Sequence, residues 1–158
     1  MNVNIRHILA PLDLTPVSER VLDLARAVAA GPGAMVHLLH VLEEPFTTAG
    51  PYEFHLPDTP ERRERRYTQV RSRLSALAAQ LEAADVHTTI EVRSGRAPEE
   101  IEKAARDYGA DLIVMGTHAR RGFHQLLIGS VAQDVIRGAS CPVLTVRAPQ
   151  QSVGASAA

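Results

Sequence analysis

Residues 112–147 read LIVMGTHARRGFHQLLIGSVAQDVIRGASCPVLTVR, and the fold turns on this stretch. It opens on Leu112-Ile113-Val114-Met115. That run is too short for a helix and rich in branched side chains, as a strand buried on both faces reads. The pattern stops at Gly116, where a polar loop begins, with Gly116, Gly122 and Gly129 set among His118, Arg120, Arg121 and His124. Ser130 starts a helical pattern in which Val131, Val135 and Ile136 share one face, and Gly138 closes it. A second apolar run, Pro142 to Val146, follows. Strand, glycine-rich loop, helix and strand make one βαβ unit, and open parallel sheets bind their ligands at the carboxyl ends of the strands.

The residue types of the loop point to a ligand class. Glycine lets backbone N–H groups approach an anion and admits positive φ angles. Gly129-Ser130 at a helix start offers N–H donors, a hydroxyl and the positive end of the helix dipole. Arg120 and Arg121 add forked donors matched to phosphate oxygens. Glycines alone would read as ordinary turns. With the arginines and the helix start beside them, a phosphate-bearing ligand is the working expectation.

Working outward, strand and helix alternate. Val3 to Leu9 is read as a first strand, ending at Ala10-Pro11-Leu12-Asp13. Thr15 is placed to cap a helix with Pro16 at its first position. Val21, Leu22, Ala25, Val28 and Ala29 carry its apolar spacing until Gly31-Pro32-Gly33 stops it. Met35 to Leu42 is a second strand. His37 and His40 lie three apart in it, point to opposite faces and cannot share a metal. Residues 43–60 form a proline-containing connection, either a lid or a plain link. A long helix starts at Pro60, with Tyr67, Val70, Leu74, Leu77, Ala78 and Leu81 as its apolar stripe. Its other side carries Arg62, Arg63, Arg65, Arg66, Arg71 and Arg73; interspersed Glu61 and Glu64 make it a solvated face rather than a nucleic-acid surface. His87 to Val92 is a third strand. Ser94-Gly95-Arg96-Ala97-Pro98 turns into a helix buried through Ile101, Ala104, Ala105 and Tyr108 and ended by Gly109.

Composition sets the outer limits. The 158 residues fit one domain able to bury about two-thirds of its unfolded surface. A net charge of −1 gives no general pull toward nucleic acid. Lys103 is the single lysine, which leaves no Schiff-base candidate. The single cysteine, Cys141, is expected to be a small buried side chain. No apolar run is long enough to cross a membrane and no leader pattern opens the chain, so it reads as cytoplasmic. Five strands and four helices predict a doubly wound α/β domain, with its crevice between the end of the first strand, at Asp13, and the end of the fourth, at Gly116. Asp13 suits a ribose hydroxyl or a phosphate-bound metal, or else it caps the next helix.

Five segments carry a family resemblance. They are Pro11-Leu12-Asp13 with Ser18, Ser94 to Pro98, Asp111 to His118, Leu127 to Ala132, and Cys141 to Arg147. Together they resemble the universal stress protein family over essentially residues 1–147, leaving 148–158 as a predicted disordered tail. The resemblance implies a single doubly wound open parallel five-stranded sheet of order 3-2-1-4-5, with helices on both faces. It also implies a homodimer that pairs its last strands, here Val143 to Val146. Some members of the family bind ATP and others do not. The binders share glycine, two residues, glycine, nine residues, glycine and then serine or threonine. On this chain that pattern meets Gly116, Ala119, Gly129 and Ser130, with alanine at the second glycine. An alanine in a left-handed conformation costs about 1 kcal/mol, and a methyl group against a phosphate would cost more.

The same resemblance implies ATP, with or without Mg2+, as the ligand. Adenine would lie against backbone near Leu12 and Val41, with the ribose at Asp13. The triphosphate would meet Gly116, Ala119, Arg120, Gly129, Ser130 and Val131, and Pro11, Met115 and His118 belong to the same implied site. Other nucleotide and hydrolase signatures are missing. There is no GxxxxGK[ST], no GxGxxG after the first strand, no GxSxG and no zinc spacing. A receiver domain would want an aspartate where Arg93-Ser94 stands and a lysine where Arg147 stands. Two readings remain: a nucleotide-binding regulatory homodimer, with at most weak hydrolysis for which His118 is the one candidate base, or a dimeric adaptor of the same fold that binds a partner protein without nucleotide.

Overall fold

The computed structural model describes residues 5–29, 33–43, 59–117 and 129–147. The central strand is β1 (His7–Pro11), and its sequence explains why. Ile8 and Ala10 point to one face and Leu9 to the other, all fully buried, so the strand needs cover on both sides. Around it run α1 (Val17–Val28), β2 (Met35–Leu42), α2 (Pro60–Glu82), β3 (His87–Ser94), α3 (Ala97–Asp107), β4 (Leu112–Thr117), α4 (Ser130–Gly138) and β5 (Val143–Arg147). All pairings are parallel, in the order β3-β2-β1-β4-β5. The predicted doubly wound sheet is the observed one.

Two apolar clusters divide the helices between the faces. Val17, Val21, Leu22 and Ala25 of α1 and Val70, Leu74, Ala78 and Leu81 of α2 pack on Ile8, Ala10, Val36, Leu38, Leu112 and Val114. Ile101, Ala104 and Ala105 of α3 and Ala132 and Val135 of α4 pack on Leu9, Leu39, Ile113 and Met115. Burying each large aliphatic side chain contributes about 1.5–3 kcal/mol, which fixes the register, since a one-residue slip would exchange the faces.

Several boundaries differ from the sequence reading. The first strand starts at His7 rather than Val3 and runs through Pro11, because its ladder to β2 begins where Met35 N donates to Arg6 O and ends at Pro11 opposite Leu39. Proline is tolerated there because the pairing with β4 has ended at Leu9–Ile113, so no N–H is needed on that side. The fourth strand does not stop at Met115. Gly116 and Thr117 pair with Val146 and Arg147 of β5. The third runs two residues past Val92, to Ser94.

The helix starts also differ in detail. Thr15 does not cap α1; Pro16 stands at the cap position, and the Thr15 hydroxyl donates to Asp13 instead. The cap the sequence reading missed is Thr59, whose side-chain oxygen accepts from Arg62 N of α2. Gly109, at φ 59°, closes α3 as read. Cys141 is half-buried; burial first, then the Asp111 carboxylate, pushes its thiol pKa up, as befits an inert side chain. The segment 44–58, expected as a lid or link, and the tail 148–158 lie outside the described residues. No described helix is long and apolar enough to cross a membrane.

Candidate functional site

The sheet opens where β1 ends. Beyond Pro11, β2 continues through His40, Val41 and Leu42 on β3 alone, and beyond Ile113, β4 continues on β5 alone. The gap between the outgoing ends of β2 and β4 is the crevice expected at the point where the strand order reverses. The sequence-predicted residues fall on two sides of it. Val41 and Met115 belong to the cluster under α3 and α4, and Pro11, also buried, shares their face by strand alternation. Leu12 and Gly116 face α1: Leu12 is a core residue, 4% exposed, so only its backbone is available to a ligand. That backbone is already engaged, with Leu12 N donating to Leu39 O and Leu12 O 2.7 Å from His40 Nδ1.

Gly116 has a packing reason to be glycine. A Cβ there would lie 2.8 Å from Val17 Cγ1, so the missing side chain lets α1 close onto the sheet. Left-handed backbone is not the cause, since the positive-φ glycines among the described residues are Gly33, Gly95 and Gly109. Gly129 also sits at an ordinary φ of −59°.

Asp13 is exposed at the mouth, and its carboxylate organises the turn into α1. Oδ1 accepts from Thr15 N at 3.0 Å, from Thr15 Oγ1 at 2.7 Å and from Ser18 Oγ at 3.3 Å. Asp13 does not cap α1, as the alternative reading had it, since no side-chain bond caps that helix; its carboxylate holds the turn ahead of the helix, in the form of an Asx-type turn. Leu14 beside it adopts φ 60°, and its carbonyl accepts from Arg73 Nη2 of α2 at 2.7 Å. A bulky residue in that conformation costs on the order of 1–3 kcal/mol and persists only where its surroundings hold it, as Arg73 does here.

The start of α4 is the anion-friendly element. Among the four described helices it alone has neither a side-chain cap nor an acidic residue in its first turn. In α2, Thr59 and Glu61 occupy that end. In α3, Glu99 and Glu100 do, and Glu43 Oε1 accepts from Ala97 N at 3.3 Å. The first-turn amides of α4 thus end on Gly129, Ser130 and Val131 with no cap or first-turn acid among the described residues to compensate the positive end of the dipole. Two side chains at this end were given no role from sequence: Arg96, ahead of α3, reaches Asp134 of α4 at 3.4 Å and Glu99 at 3.0 Å, tying the two helix starts together. Their separation of 38 residues leaves no local sequence signal. His118, Ala119 and Arg120 lie outside the described residues.

The site thus offers a carboxylate at its mouth and a helix start with no side-chain cap that suits an anionic group. No group of three or more His, Cys, Asp or Glu able to hold a metal stands among the described residues. His37 and His40 do face opposite sides: His40 meets Leu12 O, while His37 contacts His7 and Thr89.

The universal stress protein family model matches residues 4–147. The chain belongs to the universal stress protein family. Universal stress protein A homolog 2 of Coxiella burnetii is 33% identical over 145 residues, covering 91% of this chain and 96% of that protein. The solved structure of MJ0577, a universal stress protein of Methanocaldococcus jannaschii, superposes with a TM-score of 0.78 at 27% identity, covering 92% of this chain and 98% of its own. A universal stress protein from Archaeoglobus fulgidus, solved in complex with dAMP, shares the fold with a TM-score of 0.62 at 23% identity, covering 90% of this chain and 98% of that one.

Proposed function

We propose that this universal stress protein is an ATP-binding regulatory protein of the stress response, acting in the cytoplasm as a homodimer whose contacts with a protein partner depend on the nucleotide. The observation that carries the reading is the start of α4, left without a cap or an acid in its first turn among the described residues, beside the gap where β2 and β4 part. Adenine would lie against backbone near Leu12 and Val41, the ribose would meet Asp13, and the phosphates would take the amides and hydroxyl of Gly129, Ser130 and Val131. Arg120 would supply charge. Where Mg2+ accompanies ATP, phosphate oxygens and water would complete its shell, since Mg2+ keeps much of its water. Support comes also from the dAMP held by a protein of the same fold. Slow turnover at most is expected, and neither nucleic acid nor membrane is part of the proposal.

The alternative is an adaptor of the same fold that binds no nucleotide. Two features favour it: Ala119 stands at a motif glycine, and Asp13 already holds Thr15 and Ser18. Calorimetric titration of nucleotide-free protein with ATP and magnesium, with Ala119→Gly in parallel, separates the two. Saturable binding at micromolar ATP by the native chain is the expected result. Binding by the glycine variant alone would place the chain among the non-binders, blocked by one methyl group. Silence from both would leave the adaptor.

A further inference from the structure

The sheet face beneath α3 carries a polar cluster that the crevice does not use. His7 of β1, His37 of β2 and Thr89, Glu91 and Arg93 of β3 share that face by alternation, with Tyr108 over them at the end of α3. His7 Nδ1 lies 3.1 Å from His37 Nε2, and His37 Nδ1 lies 2.7 Å from Thr89 Oγ1. The His37 ring is 4% exposed and nearly parallel to both neighbours, 4.0 Å from Tyr108 at 17° and 5.5 Å from His7 at 10°. The Tyr108 hydroxyl donates to Glu91 Oε2 at 2.7 Å, and Arg93 Nε donates to Glu91 Oε1 at 2.9 Å. Arg93 also bonds Asp107 at 2.9 Å and approaches Glu100 of α3 at 3.9 Å.

A hydrogen bond between two imidazole nitrogens needs one donor and one acceptor. The pair therefore keeps its bond when both rings are neutral and when either carries one extra proton. With both rings protonated, two N–H groups and two positive charges face each other, one of them buried, and the contact cannot survive. His7 is half-exposed and His37 is buried, so protonating both rings places one of the two charges inside the packed face. Among the described residues Glu91 offsets it in part, but no carboxylate hydrogen-bonds the His37 ring. Glu91 has both oxygens engaged, Asp107 and Glu100 are turned to Arg93, and Asp111 accepts the amides of Arg6 and His7. His87, at the start of β3, is exposed to solvent.

We propose that the His7–His37 pair is a proton-operated latch on α3: the second proton breaks the imidazole–imidazole bond and releases the Tyr108 end of the helix from the sheet. Burial first, and then the His7 charge, hold the His37 pKa below its ordinary 6.5, against the upward pull of Glu91. A base whose native pKa lies below its unfolded value binds fewer protons folded than unfolded. Its stabilisation is thus full above about pH 6.5 and is lost as pH falls from there toward the native value.

Protection of the amides of residues 101–108, corrected for intrinsic exchange and followed from pH 7.5 to 5, tests the latch on the full chain. NMR titration of the histidine rings runs in parallel. Native protein is expected to lose protection by up to about tenfold per pH unit as pH falls from about 6.5 toward the lower native pKa of His37. His37→Gln keeps an acceptor for His7 without titrating, so protection should stay flat, whereas His7→Asn removes the second charge but leaves His37 buried, so protection should fall by less than in native protein. Should the buried variant fail to fold, the half-exposed His7→Asn carries the comparison. Unchanged protection in native protein, an equal fall in a folded variant, or a His37 that titrates at or above its ordinary value would each overturn the latch.

Discussion

Gly116 shows how one residue serves the fold and the site at once. From sequence it reads as the glycine that ends a strand and opens a phosphate loop. In the structure it is still inside β4, and what it must avoid is Val17. A methyl group there would stand 2.8 Å from Val17 Cγ1 and 3.6 Å from its Cβ. Valine in a helix is held to one χ1 rotamer, so it cannot swing aside, and α1 would have to shift. Gly116→Ala should therefore lower stability by about 1–3 kcal/mol in urea unfolding, despite the smaller entropy loss of alanine. Adding Val17→Ala should return part of the loss, since the two changes share one contact. A single variant as stable as the native chain would refute the packing account. Asp13 was less legible. Its position at the mouth follows from sequence order, but the bonds to Thr15 and Ser18 depend on a Leu14 conformation that no propensity announces.

At the scale of elements, the long periodic segments were readable and their edges were not. The stripe Val70, Leu74, Ala78 and Leu81 is buried as its spacing requires, because a helix of that length has one face to hide. The edges depend on partners far away in sequence. β1 begins where β2 begins, and β4 extends as far as β5 supports it. Thr59 lies between the two cases: threonine before proline is a local cap signal, yet it sits at the end of a segment read as a loop. Its side chain accepts from Arg62 N, and Glu61 in the first turn is held below its ordinary pKa by its own backbone hydrogen bond and by Thr59. Thr59→Ala should cost about 1 kcal/mol and should lower amide protection in the first turn of α2 before any other helix. Protection unchanged at residues 61–63 would show that proline and the dipole suffice without the hydroxyl.

For the whole molecule, the strand order 3-2-1-4-5 makes β5 an edge that pairs on one side only among the described residues. An open edge is a pairing surface, and sheets leave one uncovered only with some means of managing it. Here the edge carries no charge inside the strand until Arg147, and the exposed large hydrophobics among the described residues are Leu144 on β5 and Ile136 on α4. On a monomer these two side chains would stay in water; on a pair joined along Val143 to Val146 a second copy would cover the strand and extend the sheet. The homodimer proposed above rests on that edge and not on the crevice, so the two can fail separately. Leu144→Glu brings one added charge from each copy to the proposed two-fold seam, and like charges there disfavour pairing. Sedimentation should show the native chain as a dimer of about twice 17.1 kDa and the variant shifted to monomer, with an unchanged circular dichroism spectrum. If the native chain sediments as a monomer, the edge is managed in some other way and the proposal of strand pairing falls. If the variant remains dimeric, the copies meet elsewhere, and Ile136 on α4 becomes the next position to charge.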